Sequence, residues 1–443
     1  MKKKFLFSMV LVLSTLTFFS CSKEDAVDEP SGGKEVTETY AAVSISFPQT
    51  MQLRSADPLA ANTLESTVTT IGVYVVDDLS GFMHKGHFSS SQFTKDPLDE
   101  KYRLTAAVKT TTGAKTIYVV LNPATTLHNS INAGLLGDSP INGTAEPDFV
   151  SASDLIMSSV AGVSATLTVQ TETAALGTPL GITVQRNTAK VAVKKKNAVI
   201  DVVGGSVNDL KFALLVEAKK SYLIQQGGNL YTSVQTPGQN ISPITTINDY
   251  FTKVATPTNW KNINENAIAN NSLTGFYTLE NVNTTKVVGN TTAAIIKAQF
   301  TPTSNTVVVG YAADQTRTLG SITPGQSFYV KKSDYTFWSE QGYADALANG
   351  FTAAHFSKKY DNGTSYYRIW VQDGNNNIGV LRNNYYVLNV NKITGPGLPY
   401  VPGVDPDDPS NPEDPDKPID EDTYISVEVT VLPWDVQTTD HDL

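Results

Sequence analysis

The single cysteine, Cys21, stands after three lysines (Lys2, Lys3, Lys4) and the apolar run Phe5 to Phe19. A basic start, an apolar core and a small residue before the cut describe a secretory leader, and this run is too short for a hydrocarbon layer of about 30 Å. A thiol placed there is set to be acylated. Once it is committed to lipid, nothing remains for a disulfide, a thiolate zinc site or a cysteine nucleophile. Arg54, the first arginine, precedes Ser55-Ala56-Asp57-Pro58, a polar turn-like stretch of the kind that proteases reach. His84 and His87 could share a metal only on a helix, and Phe82-Met83 between Gly81 and Gly86 reads as loop. Asp405, Asp407, Asp408 and Asp414 offer hard oxygen ligands to calcium, but without the glycine-turned loop of an EF-hand. Trp260, Trp338 and Trp370 would stack on sugars if exposed, and a sandwich core is the commoner place for them. No His-Glu-x-x-His, nucleophile elbow or phosphate-binding glycine loop occurs; Gly204-Gly205 reads as a turn between strands, and Asp77-Asp78 as a solvated strand end. Neither catalysis nor a cofactor is expected.

The elements that must hold these residues are strands. Only 17% of the residues are charged, 40% are apolar, and nineteen Tyr join seventeen Phe, which is the composition of an extracellular β protein. A formal charge of −10 argues against nucleic-acid binding, which needs a basic face. Strand-like runs bounded by Gly, Pro, Asn and Asp cover Thr69 to Val76, Lys101 to Lys109, Lys115 to Asn122, Thr166 to Thr171 and Gly181 to Lys196. Others follow at Asp209 to Ala218, Ala293 to Phe300, Thr306 to Tyr311, Gln326 to Lys331, Tyr366 to Gln372 and Tyr385 to Lys392. Helical periodicity is confined to brief stretches such as Ser151 to Val160 and Tyr343 to Asn349. The expected class is all-β, with two tandem sandwiches meeting near residue 186.

The two ends carry the sharpest patterns. Between Gly403 and Asp422, prolines recur at 406, 409, 412, 415 and 418 among nine acidic residues and one lysine. A period of three is that of polyproline II, so this is a stiff spacer with a reach of roughly 60 Å at about 3.1 Å per residue. Beyond it, Ile425, Val427, Val429 and Val431 alternate with small or polar residues, and Trp434 and Val436 continue after Pro433, where a bulge is expected. Such a strand must pair and bury its face somewhere, either on its own sheet or on a neighbour's. At the other end Ala41, Val43, Ile45 and Phe47 share a face, with Met51 and Leu53 in phase, up to Arg54. It is either a strand removed by cleavage or a permanent edge strand beside an idle arginine.

This arrangement resembles the fimbrillins of Bacteroidales, the FimA/Mfa-type stalk pilins of type V pili, with the Mfa branch nearest. The resemblance rests on Tyr424-Ile-Ser-Val-Glu-Val-Thr-Val-Leu-Pro-Trp434 with its Pro/Asp spacer, on Arg382-Asn383-Asn384-Tyr385, and on Ile117 to Asn122 and Val184-Gln185-Arg186. Residues Pro237 to Asn290 offer no match. Phe18-Phe19-Ser20-Cys21 resembles a bacterial lipobox, and Ser22-Lys23-Glu24-Asp25 the acidic tag that sends Bacteroidota lipoproteins to the outer face of the outer membrane. The resemblance implies two transthyretin-like sandwiches with short helices, at 55–185 and 186–402. A leader (1–20), a propeptide (21–54), the spacer (403–422) and a donor strand (423–443) complete the chain. It further implies a lipoprotein precursor, palmitate-bearing at Cys21 and cut between Arg54 and Ser55 by an arginine-specific protease. Loss of the strand holding Val43, Ile45 and Phe47 would then admit Ile425, Val427, Val429, Val431, Trp434 and Val436 of a neighbour. The partners implied are like subunits, accessory anchor and tip pilins and receptors on host or bacterial surfaces, serving adhesion and biofilm formation. A glycan-binding surface lipoprotein and an accessory anchor or tip pilin remain the alternatives.

Overall fold

The computed structural model describes residues 37–47, 65, 67–137, 141–142, 149, 154–225, 257–265, 273–281, 287–371, 379–403, 417–419 and 425–433. Cys21, Arg54, Ser55, Trp434, Val436 and the four spacer aspartates lie outside them. The described chain is overwhelmingly β, and it falls into sheets that change over at one residue, Asn187.

Before the change-over, alternating apolar residues build β1 (Glu38–Ala41), β2 (Val43–Ser46), β3 (Thr70–Asp77), β4 (Met83–Ser89), β5 (Phe93–Lys95), β6 (Tyr102–Leu104), β7 (Val108–Thr111) and β8 (Gly113–Leu121). The short β9 (Ile141–Asn142) is followed by β10 (Met157–Ser159), β11 (Val163–Leu167) and β12 (Leu180–Arg186). Their main sheet runs β4-β3-β8-β10-β12-β2-β6-β5, with β11 also on β8, while β1 pairs with β7. Ile71, Val73 and Val75 of β3 meet Val43, Ile45, Ile182 and Val184 in one buried core.

After it come β13 (Thr188–Lys195), β14 (Asp201–Val202), β15 (Gly205–Leu215), β16 (Lys220–Ser221, paired with β9), β17 (Lys261–Asn262), β18 (Gly275–Leu279) and β19 (Ala293–Pro302). A compact group follows, β20 (Val307–Tyr311), β21 (Arg317–Gly320), β22 (Phe328–Val330) and β23 (Phe337–Ser339), then β24 (Thr364–Trp370), β25 (Asn384–Ile393) and β26 (Ile425–Pro433). The sheet β14-β25-β13-β18 packs on β17-β15-β19-β24 through Val191, Val193, Phe212, Ile295, Leu388 and Val390. The helix Glu340–Ala348, capped by the Ser339 hydroxyl, covers Trp338 and Val308, close to the helical stretch read in the sequence.

Four readings are corrected. Within Ser151 to Val160, residues 157–159 form a central strand between β8 and β12. A short apolar run looks alike in a helix and in a strand buried on both faces, and here Ser159 settles the matter by accepting from the Val119 N–H at 2.6 Å. The run Thr166 to Thr171 ends as a strand at Leu167, because Thr171 instead caps the helix Glu172–Gly177 by accepting from the Ala174 N–H at 3.2 Å. His84 and His87 lie on β4 rather than in a loop; three residues apart on a strand, they face opposite sides. Pro433 ends β26 in register with Asn384, and the irregularity in that ladder falls between Val390 and Lys392, away from the proline.

Candidate functional site

β2 is an internal strand of the fold, while β1 pairs with β7 alone among the described residues. β2 runs parallel to β12, with Val43 opposite Leu180 and Ile45 opposite Ile182, and antiparallel to β6, with Ile45 opposite Tyr102. Both of its backbone edges are therefore in use. Val43 is 1% exposed and Ile45 0%, while Phe47 is half-buried with its ring edge-on to Tyr102. Burial of that kind stabilises by about 1.5–3 kcal/mol per aliphatic side chain. β1 adds a ladder to β7, the Thr39 hydroxyl donates to the Thr168 carbonyl at 2.7 Å, and the Gln170 amide donates to the Tyr40 carbonyl at 2.8 Å. Lifting out 37–47 would open a slot lined by Tyr102, Ile182 and Val184, with two strand edges facing each other across it.

The terminal strand sits differently. β13 pairs with residues 385–390 of β25 and β26 pairs with residues 384–393, so the two flank β25 on opposite edges. Among the described residues β26 has β25 as its one neighbour, which makes it an edge strand. Its backbone places Val427 opposite Val390, Val429 opposite Leu388 and Val431 opposite Tyr386. Ile425 is buried, Ser426 is exposed and Val427 packs on the main core, the order that the sequence alternation requires. In this form of the chain, then, the strand completes its own sheet, one of the two placements the sequence left open.

Between slot and edge strand lies a buried polar joint. β12 passes through Arg186 and Asn187 directly into β13. The Arg186 guanidinium, 1% exposed, donates from Nε and Nη2 to the Glu65 carbonyl at 3.0 and 2.9 Å. The Glu65 carboxylate in turn takes the Lys190 ammonium at 2.6 Å and the Tyr277 hydroxyl at 2.9 Å, with both ion-pair side chains 2% exposed. Burial, and then the Glu65 charge, push the Tyr385 phenol above its ordinary range. A second buried pair, Arg382 Nε to Glu280 at 3.0 Å, lies beside it, and Arg382 also donates to the Ser221 hydroxyl at 3.1 Å. Sequence reasoning singled out Arg186 and Arg382 but missed Glu65 and Lys190, which lie 125 residues apart and carry no local signal.

Among the described residues no group of three or more His, Cys, Asp or Glu could hold a metal ion. His87 stacks on His128 at 4.5 Å between ring centroids, and the Tyr74 hydroxyl lies 2.8 Å from His128 Nδ1. Burial, with His87 and Lys85 nearby, pulls His128 down to about 4. Trp338 and Trp370 are buried and Trp260 is half-buried against the main core, which removes the first two as stacking platforms for sugars. Among the described residues no helix is long and apolar enough to cross a membrane.

Residues 358–440, from β24 through the spacer and β26, match the family described as major fimbrial subunit protein type IV, fimbrillin, C-terminal. Two solved proteins of Parabacteroides distasonis ATCC 8503 that carry a cell-adhesion designation align with 91% of this chain, each at a TM-score of 0.50. They are 13% and 16% identical to it and are themselves covered to 99% and 100%. A fimbrilin (FimA) of Porphyromonas gingivalis W83 is 19% identical over 90% of this chain and 99% of its own, at a TM-score of 0.46. By family signature in its C-terminal region, and by a fold shared with cell-adhesion proteins along nine-tenths of its length, this chain is similar to the fimbrillins of Bacteroidales.

Proposed function

We propose that the chain is the precursor of a structural stalk subunit of a surface fimbria, nearest the Mfa-type pilins, and that it polymerises by exchanging strands with its neighbour. In this reading it is exported as a lipoprotein acylated at Cys21, held on the outer membrane until a protease cuts between Arg54 and Ser55, and then carried into the extracellular fibre. Its role is structural, with assembly on like subunits and on accessory anchor and tip pilins, and with adhesion and biofilm formation as the outcome.

The observation that carries the reading is the contrast between the two ends. β2, within the segment that would be cut away, has strands on both sides, whereas β26, in the segment that would replace it, is an edge strand with one neighbour among the described residues. In the vacated slot the terminal strand would have β12 on one edge and β6 on the other, with Tyr102, Ile182 and Val184 there to cover apolar side chains. Exchange in this reading is open once the first strand is gone and blocked while it is present. A tip subunit would lack the terminal strand and an anchor would lack the removable one; this chain has both segments.

The direct test is Arg54→Ala. The variant should accumulate as lipidated, unpolymerised precursor, whereas the parent, once cleaved, should give SDS-resistant ladders. Normal fibres from uncut Arg54→Ala protein would show that the first strand does not block assembly.

A further inference from the structure

A groove of about 1010 Å³ runs between the β22–β23 hairpin, the 353–361 segment and the 394–400 loop. Its lining includes seven aromatic rings, Tyr329, Tyr335, Phe337, Tyr343, Phe356, Tyr360 and Tyr400. Lys332, Lys358 and Lys359 also line it, with Asp361 as the one acidic residue among its lining. A groove with a surplus of positive charge stands out on a chain whose formal charge is −10. Lys359 is engaged by Asp361 at 2.7 Å and Glu340 at 3.5 Å, whereas Lys332 is exposed and makes no ion pair among the described residues.

The groove is firmly built. The Tyr360 hydroxyl donates to the Gly397 carbonyl at 2.9 Å, the Tyr367 hydroxyl to the Gly395 carbonyl at 3.0 Å, and Tyr366 bridges Leu398 through the backbone. Tyr329 and Tyr343 stack with ring centroids 3.8 Å apart. Tyr335 is held at φ 54° with 73% of its surface exposed. A bulky residue in the left-handed region is strained, and such strain concentrates where a side chain must be presented to a ligand.

Tyrosine-lined grooves with a charged rim take polyproline II segments, whose prolines lie on the rings while the residues between them meet the rim. An acidic version of such a ligand suits a rim on which the exposed Lys332 makes no ion pair among the described residues. This chain carries one: residues 404–416 hold prolines 406, 409, 412 and 415 among six acidic residues and no basic one. We propose that the groove takes the Pro/Asp spacer of a second copy of this chain. The chain's own spacer is tied at its far end, where the Val288 N–H donates to the Lys417 carbonyl at 2.9 Å, Pro418 bridges Val287 and Ile419 packs on the main core. A spacer is released from that anchorage when its terminal strand leaves β25, so the proposal rests on the strand-exchange reading. Acidic segment and basic groove are different patches of one chain, and such heterologous contacts build open head-to-tail assemblies instead of closed pairs.

The experiment is fluorescence anisotropy of a labelled synthetic peptide of residues 403–422 titrated with the full-length chain at low salt. Saturable binding is expected, weakened about tenfold by Lys332→Glu as a rim charge reversal and comparably by Tyr335→Ala, in variants whose circular dichroism is unchanged. Replacing the five prolines of the peptide by alanine, at constant charge, should weaken binding by a similar factor. Absence of binding, indifference to both variants, or equal binding of the alanine peptide overturns the proposal. Capture of dextran sulfate through Lys332 and Tyr335 without capture of the peptide would overturn it in favour of an anionic glycan. Because the peptide needs no fibre, failure here and failure of strand exchange in the Arg54→Ala assay are read separately.

Discussion

Lys190 has exchanged its water for one carboxylate and the face of one ring, Glu65 at 2.6 Å and Tyr385 at 4.8 Å. Lys190→Met would leave the Glu65 charge buried without its partner and should destabilise the chain by about 3–5 kcal/mol, whereas the double change Glu65→Gln with Lys190→Met should recover most of the loss. Urea midpoints of the three proteins check this, and a double variant as weak as the single one would show that the pair is not a unit. His128 gives a prediction in pH. Its value in the fold is about 4 against the ordinary 6.5, so the unfolded chain binds the extra proton first. The associated stability is fully present above about pH 6.5, declines as pH falls, and is gone below about pH 4, at most about 3 kcal/mol in all. Thermal melts of the parent should therefore drop between these pH values, and His128→Gln, which keeps an acceptor toward Tyr74, should flatten the slope.

Among the elements, the first and last strands differ less in composition than in surroundings. Period-2 alternation, fixed by Ile425 inside, Ser426 outside and Val427 inside, puts Val429 in the inward series and Glu428 in the outward one. Val429→Asp should therefore abolish SDS-resistant oligomers or lower their dissociation temperature sharply, while Glu428→Ala should leave it within a few degrees; equal effects would reverse the facing of the strand. The alternation at Val43 and Ile45 was legible because it depends on neighbours two residues away, and helical spacing over Tyr343 to Asn349 marked most of the helix Glu340–Ala348, though not its first turn or its Ser339 cap. The strand Met157–Ser159 was not, since burial on both faces erases alternation, and His84 and His87 were read as loop because flanking glycines mark turns and strands alike. Glu65 with Lys190, and His87 with His128, were beyond reach for another reason: each pair is made by folding across a long stretch of chain, and no periodicity encodes it. The same holds for β26, whose pattern demands a sheet without naming one.

For the molecule as a whole, β26 covers one edge of β25, while β25 keeps β13 and β14 on its other edge. Deleting Thr423 to Leu443 should leave a folded monomer whose far-ultraviolet circular dichroism matches the parent, yet gel filtration after cleavage should show no polymer; undiminished polymer would remove the terminal strand from the assembly. The run Leu180 to Lys195 has a further consequence. It is one ribbon through both groups of sheets, pairing with β2 at its start and with β25 at its end, interrupted only at Asn187. In a fibre joined through the slot and through the segment leaving β25, tension entering one end of a subunit would pass along covalent backbone to the other, without crossing a soft linker. Strands pulled along their length give way only when a whole ladder of hydrogen bonds fails together, so the force such a subunit withstands would be set by the slowest unfolding step of its sheets.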